Sequence, residues 1–234
     1  MGKRIIARAR GKGGPRYRAP SHRYFGRVEY AEGMGAEGLV VDIVRDPGRS
    51  APVAIIKLAS GKEILHIAPE GLNVGEKITY GGEARAGNVL KLADMPMGAR
   101  ISCVEPYPNS GPKICRSSGS FATVVGSGGG EVFVQFASGK IKRLNPDCRA
   151  MVGVPAGGGR MEKPWVKAGK RVHAMMARGR LYPRTVGVAM TATDHPFGGK
   201  KKAPRPSESV SRHAPPGAKV GSISPRQTGK RKGK

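Results

Sequence analysis

The positive charge of this 234-residue chain is confined to its two ends, and that partition limits where it can fold. Residues 1–35 carry nine Lys/Arg against two acids, and residues 156–234 carry nineteen against three. Residues 36–155 hold fourteen against eleven, so only +3 of the net +26 falls in the middle. Like charges at the density of the two ends, spaced by Gly and Pro, cannot condense on themselves; they need a polyanion to neutralise them. A buried core is therefore expected only in the nearly neutral middle, which has room for two small domains of roughly 50–70 residues each.

From Leu39 the chain turns into short β-branched runs. Leu39–Val44, Val53–Leu58 and Glu63–Ile67 read as strands bounded by Pro, Gly and Ser, with more around Ile101–Val104 and Phe121–Val125. Val53–Lys62 and Val132–Lys140 resemble one another, each running a strand into Ser-Gly-Lys, a hairpin signal. Their turns lie 78 residues apart, which predicts one hairpin in each of two small barrels, closed so as to remove exposed edges. The expected organisation is a basic extension over 1–35, barrels over 36–93 and 94–155, and a helix with a basic extension over 156–234. The helix is placed at Glu162–Ala177, with Pro164 in its first turn, Trp165, Val172, Met175 and Met176 as apolar contacts, and Gly169 against it. Gly157-Gly158-Gly159 would let that segment leave the second barrel, and residues 198–234 read as an extended basic tail.

Several chemistries are excluded. Three cysteines without CxxC spacing argue against a disulfide framework or a zinc site and fit reduced, buried thiols in a cytosolic protein. His22, His66, His173, His195 and His213 are scattered, so no metal is expected. No stretch reaches the ~18 apolar residues of a membrane span, and the start lacks the apolar core of a signal peptide. Gly33-x-Gly35-x-x-Gly38-x-Val40 imitates a kinase glycine-rich loop, but Lys57 is displaced from the matching lysine position and no catalytic-loop motif follows. Its glycines precede a strand instead of opening a helix, which also rules out a dinucleotide fingerprint. Neither enzyme nor cofactor is expected.

Nucleic acid, RNA first, remains as the polyanion. Arg8, Arg10, Lys12, Arg16-Tyr17-Arg18 and Arg23-Tyr24-Phe25 alternate phosphate-seeking guanidiniums with rings able to stack on unpaired bases. Pro183–Gly199 is an apolar stub running into Asp194-His195-Pro196-Phe197-Gly198-Gly199. It presents an imidazole beside a carboxylate and a ring. Chemistry alone leaves two readings open, a turn in which Asp194 caps local amides or a nucleic-acid contact loop. A sequence-indifferent DNA-compacting protein would be equally basic, but needs no ordered C-terminal signature.

The segment Ala189-Met190-Thr191, then Asp194-His195-Pro196, then glycines, resembles the C-terminal signature of the universal large-subunit ribosomal protein two family. Cys115-Arg116-Ser117-Ser118-Gly119-Ser120 and Asp147-Cys148-Arg149-Ala150 resemble two further family turns, and Phe197 with Ala214-Pro215-Pro216-Gly217 points to the archaeal-like branch. The resemblance runs in order along essentially the whole chain. It implies a mainly β fold, an OB-like then an SH3-like barrel with extended basic arms and one short helix after the second. It also implies a structural constituent of the cytoplasmic ribosome, a monomer within it and away from any membrane. The implied roles are binding large-subunit rRNA, supporting subunit assembly and association, and buttressing the peptidyl transferase region, beside neighbouring ribosomal proteins and the small subunit. The residues expected at RNA are Arg8, Arg10, Lys12, Arg16, Arg18 and Arg23 at the N-terminus, and Arg116, Ser117, Lys140, Arg143 and Arg149 on the barrels. Towards the C-terminus they are Arg178, Arg180, Arg184, Asp194, His195, Pro196, Phe197, Gly198 and Lys200. Val186 and Thr191 stand where the family has Arg and Asn, and Lys200 where it has a third glycine.

Overall fold

A computed structural model describes residues 4–199 and 208–228, and the chain is mainly β with few helical turns. It divides into two compact units, Ser21–Val166 and a terminal unit drawn from Met1–Pro20 and Lys167–Lys234. In the first unit, β1 (Glu37–Val44), β2 (Val53–Leu58), β3 (Glu63–Ile67) and β4 (Lys77–Thr79) form an antiparallel sheet in the order β3-β2-β1-β4. Alternation sorts the faces: Val40 pairs with Ile56, Ile56 pairs with Ile64, and all three are buried, whereas Leu39 and Val41 stay exposed. A bulge between Val40 and Asp42 then shifts the register of β1.

The second sheet joins β5 (Val89–Lys91), β6 (Arg100–Ser102), β7 (Ala122–Gly128), β8 (Glu131–Phe136), β9 (Ile141–Leu144) and β10 (Arg149–Val152) in the order β5-β10-β6-β7-β8-β9. The two Ser-Gly-Lys turns close β2–β3 and β8–β9, as their resemblance predicts. Gly61 donates to Leu58 O at 2.8 Å and Gly139 to Phe136 O at 2.8 Å. Both glycines are left-handed, at φ +83° and +78°. β2 and β3 span the expected residues, β7 runs three residues beyond Val125, and β6 stops at Ser102.

Strands β5 and β10 are a shared wall. Val89 and Met151 belong to one core with Val40, Ile56, Ile67, Ile78 and Tyr80. Their neighbours Leu90 and Ala150 belong to the other, with Ile101, Val124, Val132 and Val134. Adjacent residues thus face opposite cores, and the ladder pairs Met151 with Val89 and Ala150 with Leu90. Each fully buried Ile or Leu here contributes about 1.5–3 kcal/mol before the entropy of ordering it. Val28, Tyr30 and Ala31, within the span read as basic extension, are also buried in the first core.

Tyr30, His66 and Tyr80 meet edge to face, with ring centroids 5.5–6.4 Å apart. Tyr80 Oη lies 2.5 Å from His66 Nε2, while His66 Nδ1 is buried without a partner. Burial lowers the His66 pKa to about 3, so the ring stays neutral in the fold. Burial likewise pushes the Cys103 thiol up to about 12.

The terminal unit contains α1 (Ile6–Gly11), which the sequence reading did not anticipate. Arg8 and Arg10 occupy its last turn, where a helix favours positive charge. The second helix, α2 (Ala168–Met176), is shorter than the expected Glu162–Ala177. Val166 sits at φ +62° and Lys167 is extended, so no helix can run through them. Trp165 and Met176, expected as apolar contacts, are exposed; Val172 and Met175 are half-buried, one turn apart. At the end of α2, Gly179 is left-handed at φ +62°, and a Cβ there would lie 2.5 Å from Ala19 N. Only glycine admits the N-terminal segment at that distance. β11 (Ser209–Val210) and β12 (Ser222–Ile223) form a short parallel pair. Among the described residues of this unit only Ile5 and Val220 are buried. No helix among the described residues is long and apolar enough to cross a membrane.

Candidate nucleic-acid interface

The terminal unit concentrates the charge more sharply than the sequence alone suggests. Its two segments hold 24 Lys/Arg against Asp194 and Glu208, a net +22 of the chain's +26. It contains the turn around His195. Asp194 N–H and His195 N–H both donate to Thr191 O, at 3.1 and 3.2 Å. The Thr191 hydroxyl donates to Asp194 Oδ2 at 2.9 Å. Gly198 N–H donates to His195 O at 2.9 Å and Gly199 N–H to Met190 O at 3.2 Å. A Cβ on Gly198 would overlap the Met190 and Thr191 carbonyls, so the return of the chain over Thr191 requires glycine. Thr191 therefore still supplies a polar anchor at the position where the family has Asn.

His195 is held from three sides. Its Nδ1 accepts the Phe197 N–H at 3.0 Å, which leaves Nε2–H as the ring's donor. Phe197 packs at 5.0 Å between ring centroids, and a Cβ on Gly187 would overlap the imidazole. The ring is partly exposed, as are Phe197 and Gly198, and Pro196 is exposed. The segment is thus an internally bonded turn in which Asp194 accepts the Thr191 hydroxyl, and it leaves the imidazole partly exposed.

The N-terminal segment reaches the same place. Arg4, Ile5 and Arg8 line a cleft of about 220 Å³ with Ala192, Thr193, His195, Pro196 and Gly217. A Cβ on Gly217 would stand 3.8 Å from Arg8 Nη1, an ordinary contact, so the cation lies beside this turn. Arg8, Arg10, Lys12, Arg16 and Arg18 are all exposed, as are Arg180 and Arg184, whereas Arg178 is half-buried near the end of α2. Arg18 Nε lies where a Gly13 Cβ would be 3.5 Å away. Lys200 lies outside the described residues. Sequence reasoning missed Arg4; the basic opening run before Ile5 was the available signal.

In the Ser21–Val166 unit, Arg23 is exposed in a 3-10 turn, Ser21–Arg23. Arg116 and Ser117 are exposed on a turn in which Ser120 N–H bonds Ser117 O at 3.0 Å. Gly119, at φ +69°, has Gly158 Cα 2.9 Å from where a Cβ would be, and Arg160 Nε donates to Ser118 Oγ at 2.8 Å. The Gly157–Gly159 run is thus packed against this turn, and it brings Arg160 beside Arg116 and Ser117, a residue the sequence reading passed over. Lys140 is exposed in the β8–β9 turn, and Arg143 on β9 lies 5.8 Å over the Phe133 ring.

Arg149 is a correction. It is buried, not presented to a ligand, because its guanidinium is fully engaged inside the unit. Arg149 Nη2 and Nε donate to Glu105 Oε1 and Oε2 at 3.0 and 3.3 Å, and Nη1 donates to Ala31 O at 2.8 Å. The Tyr30 ring lies 5.3 Å away. Glu105, wholly buried, also accepts Gly111 N–H and Arg149 N–H, each at 3.0 Å. The charge is cancelled locally, which a turn motif read from sequence cannot reveal.

Comparison with known proteins accounts for the chain end to end. The model of the ribosomal proteins L2 RNA-binding N-terminal domain matches residues 3–80, and that of the ribosomal proteins L2 C-terminal domain matches residues 85–219. The large ribosomal subunit protein uL2 of Methanothermobacter thermautotrophicus is 48% identical over 241 residues, covering 99% of this chain and all of that protein. Those of Methanococcoides burtonii and Methanococcus maripaludis are 47% and 48% identical, with the same coverage.

Proposed function

The chain belongs to the ribosomal proteins L2 family, and from that premise we propose that it is a structural constituent of the large ribosomal subunit, bound to large-subunit rRNA. The observation that carries this reading is the gathering of +22 into one unit made from both chain ends, with hardly any apolar burial of its own. Such a surface is stable only against dense phosphate, and releasing counterions from that phosphate supplies most of the affinity. The protein performs no reaction; its cations neutralise and its turns position.

The body of two sheets carries smaller contacts through Arg116, Ser117, Lys140 and Arg143. The His195 turn faces rRNA near the peptidyl transferase region, where His195 positions RNA without taking part in peptide transfer. In this reading the protein supports subunit assembly and association with the small subunit. It sits in the cytoplasmic ribosome as a monomer beside other ribosomal proteins. In the free protein the terminal unit is disordered and orders on RNA.

The test is sedimentation of the tagged protein from native lysate, with and without ribonuclease, and sequencing of the RNA crosslinked to it. Stoichiometric migration with large subunits, and crosslinks from His195 near the peptidyl transferase region, are expected. A slow-sedimenting pool on DNA or mixed RNAs would overturn the reading.

A further inference from the structure

We propose that Arg4, Arg8 and His195 form one composite site for a single RNA backbone phosphate, assembled from opposite ends of the chain. The proposal rests on the rRNA-binding reading above and specifies how part of that surface works. Three observations lead to it. First, Arg4 and Arg8, from the N-terminal segment, share a cleft of about 220 Å³ with His195 and Pro196, from the far end of the sequence. Second, the ordered terminal unit sets these donors side by side. Arg8 Nη1 lies 3.8 Å from where a Gly217 Cβ would stand, and the Phe197 N–H on Nδ1 sets the His195 tautomer with its proton on Nε2. Third, among the described residues no acid lines the cleft; its remaining walls are Ile5, Ala192, Thr193, Pro196 and Gly217. Two guanidiniums and an N–H donor around a small cleft without carboxylates match the several acceptor oxygens of one phosphodiester.

A shared phosphate has a thermodynamic signature that separate contacts lack. Each phosphate neutralised contributes about 0.9 to the slope of log K against log salt on duplex RNA or DNA, and about 0.7 on a single strand. If Arg4 and Arg8 meet the same phosphate, R4A, R8A and the R4A/R8A double variant should each lower the slope by about one contact or less. If they meet different phosphates, the double variant should lose about two. One contact corresponds to roughly a 2.6- to 3.5-fold change in affinity between 50 and 200 mM salt.

The experiment titrates full-length protein with large-subunit rRNA at several salt concentrations, for wild type, R4A, R8A, R4A/R8A and H195A. It is paired with methylphosphonate or phosphorothioate interference on the same RNA. The expected result is a sub-additive slope change in the double variant, and one interference position weakened in R4A, R8A and H195A alike. R8K, which keeps the charge but not the planar fork, should retain the slope while weakening the interference at that position. Additive slopes, or three different interference positions, would overturn the composite site while leaving rRNA binding intact. Failure of wild-type protein to bind the rRNA would instead remove the reading it rests on.

Discussion

Replacing Arg149 by Met removes one half of a buried ion pair and leaves the other. Glu105 is completely shielded, and its carboxylate would keep only the backbone N–H groups of Gly111 and Arg149. Breaking such a pair from one side costs about 3–5 kcal/mol, because a buried charge is left uncompensated. The two retained amides place the loss near the lower end, and the orphaned Ala31 carbonyl adds about 1 kcal/mol. For a unit the size of Ser21–Val166, each kcal/mol shifts the melting temperature by roughly 2–4 °C, so Arg149→Met should lower it by about 8–16 °C. The transition is read by near-ultraviolet circular dichroism, which reports the buried Tyr30 and Tyr80 of this unit. Adding Glu105→Leu should recover at least half of the loss, since removing both charges avoids the isolated carboxylate. In rRNA titrations Arg149→Met should leave the salt slope unchanged. A melting shift under about 2 °C, no recovery in the double variant, or a slope reduced by about one contact would refute the assignment of Arg149 to the core.

His66 makes the same unit sensitive to acid. Its pKa in the fold, about 3, lies below the ordinary histidine value of 6.5, so the unfolded chain takes up a proton that the folded one refuses. That contribution is complete above pH 6.5 and is lost as pH falls, at up to about 1.4 kcal/mol per pH unit between 6.5 and 3. Urea unfolding at pH 7, 6 and 5 should show this slope in the wild type and a flatter one in His66→Phe; equal slopes would place the sensitivity elsewhere. Under native conditions a maleimide should react first at Cys115, which is partly exposed, and last at the buried Cys103, whose pKa is about 12, as peptide mapping would report. Gly187→Ala should displace the His195 ring and abolish its rRNA crosslink while leaving the melting of the sheet unit within 1–2 °C, because the collision is confined to the terminal unit.

The strands were legible because they are short β-branched runs between turn residues: Val53–Leu58 and Glu63–Ile67 flank a turn whose glycine is dictated by φ. The His195 turn was legible because its Pro and Gly positions are geometric necessities. What could not be read is whatever depends on distance in space. Arg149 and Glu105 are 44 residues apart, and a basic residue beside a cysteine gives no hint that a carboxylate waits for it. Helix α2 was overextended because Pro164 and the apolar residues beside it suit a first turn, while the left-handed Val166 leaves no sequence trace. The two arms read as separate tails because charge patterning is local, whereas Gly179 joins them through a missing side chain.

The terminal unit draws on both ends of the chain, and this sets a timetable for the nascent polypeptide. Residues 4–20 leave the exit tunnel first, yet Gly179, His195 and Gly217, against which they pack, are made last. At about 5–20 residues per second the N-terminal segment waits on the order of ten to forty seconds for these partners. The sheet unit between them can complete its own core within that interval. A chain stalled before Lys167 would therefore hold both sheets but not the cationic unit, and would present its basic leading segment alone. Completion of synthesis thus becomes a condition for the full charge to act as one surface, so the binding of a finished copy is distinguishable from that of a fragment.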